Sequence, residues 1–70
     1  MKIAVVGCGN VATNYANTLK PFADHVEIVG WCDLDPARAK GFADEHGGRV
    51  YDDLAAVLAD PGVDAVLNLT

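Results

Sequence analysis

Two glycines separated by one residue form the part of the sequence whose spacing most directly indicates a chemistry. Gly7 and Gly9 lie between an apolar run and a helical pattern. A pyrophosphate needs backbone N–H groups that it can approach closely, and the positive end of a helix supplies them. Gly7 would permit the tight turn, Gly9 would let the phosphate approach, and Ala12 would allow close helix-to-strand packing. The spacing predicts a nucleotide phosphate site, and the alternative is a strand-to-helix turn without a ligand.

A carboxylate after the second apolar run extends this prediction to a dinucleotide. Asp33 lies 24 residues after Gly9, close to the spacing of about 20 residues that is typical of ribose-binding acids. Its carboxylate can accept hydrogen bonds from both ribose hydroxyls and would repel a 2′-phosphate, which favours NAD. Arg38 could reach the adenine or a 2′-phosphate, so NADP is less favoured rather than excluded. The alternatives are a solvent-facing strand-end acid for Asp33 and a helix-surface arginine for Arg38.

The elements that must position these residues alternate between strand and helix. The alternation predicts an α/β fold, a partial Rossmann domain with a parallel sheet of about four strands in the order 3-2-1-4 and three helices. The first two helices would share one face of the sheet, and the third would lie on the other. Strands are predicted at residues 2–6, 26–32, 49–51 and 63–70, and helices at 11–20, 36–46 and 53–60.

Helix signals add more local predictions. Asn10 and Asp35 are suitable N-cap residues for the first two helices, and Asp52 or Asp53 can cap the third. Gly41 weakens the second helix by roughly 1 kcal/mol relative to alanine, and we expect it to allow close packing on the sheet. His25 and His46 have no partners at metal-ligand spacing, so we expect both at the surface and no metal site.

Composition excludes several function classes. The 70 residues include ten acidic and five basic side chains, for a net charge of −5, without a basic cluster for nucleic acid. The start of the sequence carries no cleavage-site signature, and no apolar run is long enough for a membrane, so a cytoplasmic location is expected. Cys8 and Cys32 are expected to be reduced and half-buried, with a redox pair as the alternative. No residue is a candidate for catalysis.

Four segments resemble the amino-terminal part of the Gfo/Idh/MocA oxidoreductases, which include glucose-fructose oxidoreductase and inositol dehydrogenase. They are KIAVVGCGNVA from residue 2, WCDLDPARA from residue 31, YDDL from residue 51 and VDAVLNLT from residue 63. The resemblance implies a set of cofactor-binding residues: Gly7, Gly9, Asn10 and Val11 at the pyrophosphate, Asp33 and Leu34 at the adenosine ribose, Arg38 on the adenine side and Thr70 in the cofactor cleft.

The resemblance also implies a function. Family members oxidise or reduce sugar-like alcohols by hydride transfer to nicotinamide, using a catalytic lysine and a substrate domain that would follow residue 70. Residues 1–70 are therefore expected to be the amino-terminal part of a dinucleotide-binding domain that lacks the substrate domain and is not catalytic alone. The alternative is a non-catalytic nucleotide-sensing or assembly module, which could pair the strand at 63–70 with a partner or with a second copy.

Overall fold

The computed structural model describes residues 1–22 and 24–70. In these ranges the strands are arranged in one parallel sheet in the order β3-β2-β1-β4. The predicted strand order and the predicted partial Rossmann architecture are therefore confirmed. The strands are β1 (Lys2–Val6), β2 (Glu27–Cys32), β3 (Arg49–Val50) and β4 (Ala65–Asn68), and the helices are α1 (Asn10–Leu19), α2 (Pro36–His46) and α3 (Leu54–Ala59), with a 3₁₀ turn at Lys20–Phe22.

The central strand β1 sets the position of the site. Its residues 3–6 are all buried, as expected for a parallel strand covered on both faces. Val6, the last residue of β1, is paired with Cys32 on one side and with Asn68 on the other. Because all three strands end together, the segments that follow them meet at the same edge of the sheet, which we call the carboxyl edge.

One face of the sheet is covered by α1 and α2, as predicted. Val5 and Trp31 pack there against small helix residues, Ala12 and Ala16 of α1 and Ala39 of α2. Alanine side chains let the helices approach the strands closely. Trp31 is fully buried, and its indole N–H donates a hydrogen bond to the Gly47 carbonyl at 2.9 Å. This bond satisfies the only polar atom of a large core side chain.

The other face is covered by α3, also as predicted, but less completely. Val57 of α3 is fully buried, whereas Leu54 and Leu58 are exposed. The Tyr51 ring lies against Gly30, where a Cβ atom would collide with it. The Tyr51 hydroxyl donates a hydrogen bond to the Asp60 carboxylate. These contacts attach the loops on both sides of α3 to β2.

The helix caps agree with the sequence at two of three places. Asp35 accepts a hydrogen bond from Ala37 N–H at 3.0 Å and precedes Pro36 at the start of α2. Asp53 caps α3 by accepting one from Ala56 N–H at 2.8 Å. Asn10, predicted as the cap of α1, is instead its first helical residue. The cap position is occupied by Gly9, whose carbonyl accepts a hydrogen bond from Thr13 N–H at 3.3 Å.

Two expectations about α2 are wrong. His46 is not a surface residue: its side chain is only 9% exposed, and its ring lies 5.5 Å from the Trp31 ring and 5.7 Å from the Phe42 ring. Gly41 does not pack on the sheet, since it is exposed and, among the described residues outside its own stretch of helix, no atom lies within 4 Å of the position that a Cβ would occupy. Both errors concern the rotation of α2 about its axis.

Within the described ranges, no helix is both long and apolar enough to cross a membrane. No group of three or more histidine, cysteine, aspartate or glutamate side chains in the same ranges is placed to hold a metal ion.

The substitution Gly41→Ala is expected to raise the free energy of unfolding by about 0.5–1 kcal/mol, because alanine restricts the unfolded chain and fits an exposed helix interior. Urea denaturation followed by circular dichroism measures this change. Gly47→Ala is the matched control and is expected to destabilise, since Gly47 ends α2 with a φ of 83°. A Gly41→Ala protein with an unchanged or lower midpoint would contradict the prediction.

Candidate functional site

The turn between β1 and α1 continues the hydrogen bonding between β1 and β2 beyond the ends of these strands. Gly7 N–H donates to the Cys32 carbonyl at 2.8 Å, one step beyond the last paired residues of β1 and β2. Cys8 N–H donates to Asp33 Oδ2 at 2.7 Å. The helix then begins at Asn10, and the N–H groups of its first turn have no intrahelical acceptor. Together with the helix dipole, these donors suit an anionic ligand.

Gly7 is required by the fold itself. Its φ of 99° is one that side chains with a Cβ rarely adopt. A Cβ at this position would also lie 3.1 Å from the backbone carbon of Leu69 and 3.1 Å from the backbone nitrogen of Thr70. The turn and the segment after β4 are therefore in close contact, which brings Thr70 to the glycine turn.

Gly9 differs from Gly7 in both respects. Its φ is not positive, it is exposed, and no described atom lies within 4 Å of its virtual Cβ. The fold therefore does not require glycine at this position. The missing side chain leaves open space beside the backbone at the start of α1, where a phosphate could approach.

Asp33 lies at the same edge with both carboxylate oxygens engaged. Oδ1 accepts a hydrogen bond from Asp35 N–H at 2.8 Å, while Oδ2 accepts the one from Cys8 N–H. The Asp35 and Cys8 N–H groups, with a smaller effect from the Arg38 charge, lower the pKa of Asp33 below its usual value. The side chain is therefore ionised at neutral pH. Each oxygen keeps a further lone pair for a ligand hydroxyl.

The other predicted residues surround this centre and are accessible. Leu34 is fully exposed, and Asn10 and Val11 are exposed on the first turn of α1. Arg38 lies in α2 with its Nε 3.9 Å from Asp35 Oδ2, and both side chains are more than half exposed. The structure brings the predicted residues to the carboxyl edge of the sheet: Gly7, Gly9, Asn10, Val11, Asp33, Leu34, Arg38 and Thr70.

Asn68 is a residue of this edge that the sequence analysis missed. Its Oδ1 accepts hydrogen bonds from Thr70 N–H at 3.1 Å and from the Thr70 hydroxyl at 2.6 Å. These bonds orient Thr70 next to the glycine turn. An asparagine two residues before a threonine is a turn signal that could have indicated this role.

The two thiols do not supply a nucleophile. Cys8 and Cys32 are both buried and free, and they belong to core clusters on opposite faces of the sheet. Burial, followed by the Asp33 charge, raises the pKa of Cys8 to about 11. Burial also raises the pKa of Cys32. This arrangement favours two separate neutral thiols over a reactive or redox-active pair.

Parallel strands ending in a glycine turn, a helix amino terminus and an acid at the next strand define a Rossmann nucleotide-binding module. Residues 1–69 match the family described as an oxidoreductase family with an NAD-binding Rossmann fold, GFO_IDH_MocA. The chain belongs to the Gfo/Idh/MocA oxidoreductase family, so the resemblance noted in the sequence is confirmed.

Individual proteins that are similar to this chain are dehydrogenases, as expected for an oxidoreductase family. The chain is 35% identical over 68 residues to inositol 2-dehydrogenase 2 of Saccharopolyspora erythraea. This match covers 96% of this chain and 20% of that protein. It superimposes on the WlbA dehydrogenase of Chromobacterium violaceum, solved with NADH and UDP-GlcNAcA, with a TM-score of 0.91 at 36% identity, covering 100% of this chain and 20% of that one.

A further solved structure is GenD2 of gentamicin A biosynthesis in complex with NAD. Its TM-score is 0.89 at 30% identity, and the match covers 100% of this chain and 20% of that one. The chain thus spans 20% of the length of each of these three relatives.

The two glycines of the turn are expected to respond differently to alanine. Gly7→Ala should lower the free energy of unfolding by about 1–3 kcal/mol, because it combines a strained φ with contacts to the segment after β4. Gly9→Ala should change it by no more than about 0.5 kcal/mol, because its Cβ would enter open space. Equal losses of stability in parallel urea titrations would refute this division.

Proposed function

We propose that this chain binds the adenosine and pyrophosphate parts of NAD in an oxidoreductase that transfers hydride between nicotinamide and a CH–OH group of a sugar-like or polyol substrate. The observation that carries the proposal is the placement of the α1 amino terminus, the open Gly9 backbone and the ionised Asp33 at one edge. Membership in an NAD-binding oxidoreductase family supports it.

The pyrophosphate is assigned to the amino terminus of α1. The backbone N–H groups of Gly9, Asn10 and Val11 lie in or just before the first turn of that helix, where anions are stabilised. Gly7 contributes by fixing the turn rather than by offering a donor, since its own N–H is bonded to the Cys32 carbonyl. A neutral surface without a helix end would not favour a doubly charged group.

The adenosine is assigned to the loop between β2 and α2. Asp33 would accept hydrogen bonds from the ribose hydroxyls through its free lone pairs. Leu34 is fully exposed beside it and offers apolar surface. Arg38, which lies close to Asp35, is assigned to the adenine side, and Thr70, whose backbone nitrogen lies next to Gly7, is assigned to the cofactor cleft.

The same carboxylate favours NAD over NADP. A 2′-phosphate at this ribose would stand next to the charge of Asp33, with Asp35 also nearby. Arg38 is the basic side chain close to the two carboxylates, and Asp35 already offsets part of its charge. We therefore assign Arg38 to the adenine rather than to a 2′-phosphate.

Hydride acceptance is the chemistry that the bound nicotinamide would supply. The residues of this chain would bind and orient the cofactor, whereas substrate binding and proton transfer are assigned to parts of the full-length protein outside residues 1–70. The chain alone is then not catalytic. Inositol 2-dehydrogenases and a dehydrogenase solved with UDP-GlcNAcA among the relatives support a sugar-like or polyol substrate. A cytoplasmic location and self-association through the β4 edge stay predictions from the sequence.

Calorimetric titration with NADH tests the binding site. The unaltered chain should bind NADH, and Gly9→Ala should weaken binding by roughly tenfold or more, because a Cβ would occupy the space assigned to the pyrophosphate. Gly41→Ala, on the exposed side of α2, is the control and should bind as the unaltered chain does. A folded Gly9→Ala protein with unchanged affinity would contradict the assignment, and absence of NADH binding by the unaltered chain would contradict the function.

Cofactor choice depends on Asp33 in this proposal. The ratio of NADPH to NADH dissociation constants should exceed one for the unaltered chain and fall by about tenfold in Asp33→Ser, because the substitution removes the charge that repels the 2′-phosphate. Both titrations are made on the same preparation, so that a general loss of affinity cancels in the ratio. An unchanged ratio would refute the role of Asp33 in choosing between the cofactors.

A further inference from the structure

The Asp33 carboxylate forms hydrogen bonds with two backbone segments, the glycine turn and the start of α2. Its Oδ2 accepts the Cys8 N–H at 2.7 Å across 25 residues of chain, in a half-buried position. Its Oδ1 accepts the N–H of Asp35, which caps α2. A single carboxylate therefore joins the glycine turn to the start of the second helix.

The position of Cys8 in the turn gives this bond its importance. The preceding N–H, that of Gly7, is held by the Cys32 carbonyl at 2.8 Å. The following N–H groups belong to the start of α1 and are the donors assigned to the pyrophosphate. Cys8 N–H is thus the last donor before those assigned to the pyrophosphate, and its acceptor is Asp33 Oδ2.

We propose that Asp33 is also a positioning residue for the phosphate-binding turn: by holding Cys8 N–H, its carboxylate orders the donors at the start of α1 before the cofactor binds. This inference rests on the proposed function and adds a role for Asp33 toward the pyrophosphate. Asp33 then acts on two parts of the cofactor, directly on the ribose and through the backbone on the phosphates.

The physical reason is preorganisation. The turn contains two glycines, which lose much conformational freedom when they become ordered. A hydrogen bond to a charged acceptor is stronger than one to a neutral acceptor, and its loss would leave the half-buried Cys8 N–H unpaired. Without that bond, the turn would become ordered only when the cofactor binds. The entropy lost at that point would lower the affinity for the cofactor.

Electrostatics alone predicts the opposite result, which makes the inference testable. Removing a carboxylate next to a diphosphate removes repulsion and should strengthen binding of the anion. Removing a positioning residue should weaken it. The sign of the change therefore distinguishes the two effects, provided that the ligand has no ribose hydroxyls for Asp33 to bind.

The experiment compares ADP with 2′,3′-dideoxyadenosine 5′-diphosphate, titrated into the ¹⁵N-labelled chain and followed by NMR. In Asp33→Ala, binding of the dideoxy ligand should weaken by roughly fivefold or more relative to the unaltered chain. Binding of ADP should weaken further, since it also loses its ribose contacts. Unchanged or tighter binding of the dideoxy ligand in Asp33→Ala would overturn the proposal and leave Asp33 with the ribose alone.

Two further variants separate charge from hydrogen bonding. Asp33→Asn has one acceptor oxygen for the two N–H groups, of Cys8 and Asp35, that the carboxylate binds, so it should restore only part of the dideoxy affinity. Asp52→Ala removes a carboxylate close to the same edge, one whose charge acts on Cys32, and it should not weaken binding. If the dideoxy ligand bound Asp33→Asn more tightly than the unaltered chain, or if Asp52→Ala were as impaired as Asp33→Ala, the hydrogen-bond role would be refuted.

A measurement without ligand distinguishes failure of this inference from failure of the proposed function. The Cys8 amide should exchange with solvent at least about tenfold faster in Asp33→Ala than in the unaltered chain, while amides of β1 keep their rates. Unchanged exchange at Cys8 would overturn the inference. If the unaltered chain bound neither ADP nor NADH, the proposed function would fail, and the exchange rates would still decide whether Asp33 orders the turn.

Discussion

The candidate site depends on the parallel pairing of β1 with both of its neighbours. Val6 is aligned with Cys32 on one side and with Asn68 on the other, so three strands end at the same level. The hydrogen bonds from Gly7 N–H to the Cys32 carbonyl and from Leu69 N–H to the Val6 carbonyl continue this alignment beyond the strands. Segments that are distant in the sequence thereby become neighbours at the carboxyl edge, where ligands bind in folds of this kind.

The two glycines of the turn differ in purpose: Gly7 is required by the fold, whereas Gly9 leaves space for a ligand. Gly7 satisfies a backbone conformation and a close approach to the segment after β4, both of which belong to the fold. Gly9 meets neither demand, and its contribution is the open space beside a helix end. The same separation appears between Asp35, which caps α2, and Asp33, whose oxygens retain lone pairs for a ligand. Neighbouring residues of identical type therefore serve different purposes.

An acidic chain can still offer a site for an anionic cofactor, because local fields decide binding at short range. The net charge is −5, but the amino terminus of α1 presents N–H donors and the positive end of the helix dipole. Backbone N–H groups compensate the charge of Asp33, which lowers its pKa. Specificity would follow from the same arrangement, since Asp33 can accept hydrogen bonds from ribose hydroxyls while it opposes an additional phosphate at that position.

The sequence by itself determined the order of strands and helices, the glycine turn, the cap at Asp35 and the strand order, because periodicity, turn chemistry and the handedness of crossovers are local or topological rules. Tertiary structure alone decided that His46 packs on Trp31, that Gly41 faces solvent, and that Asp33 accepts the Cys8 N–H. These features depend on the rotation of a helix about its axis, or on contacts between segments brought together only by the sheet. Spacing along the chain does not specify either of them.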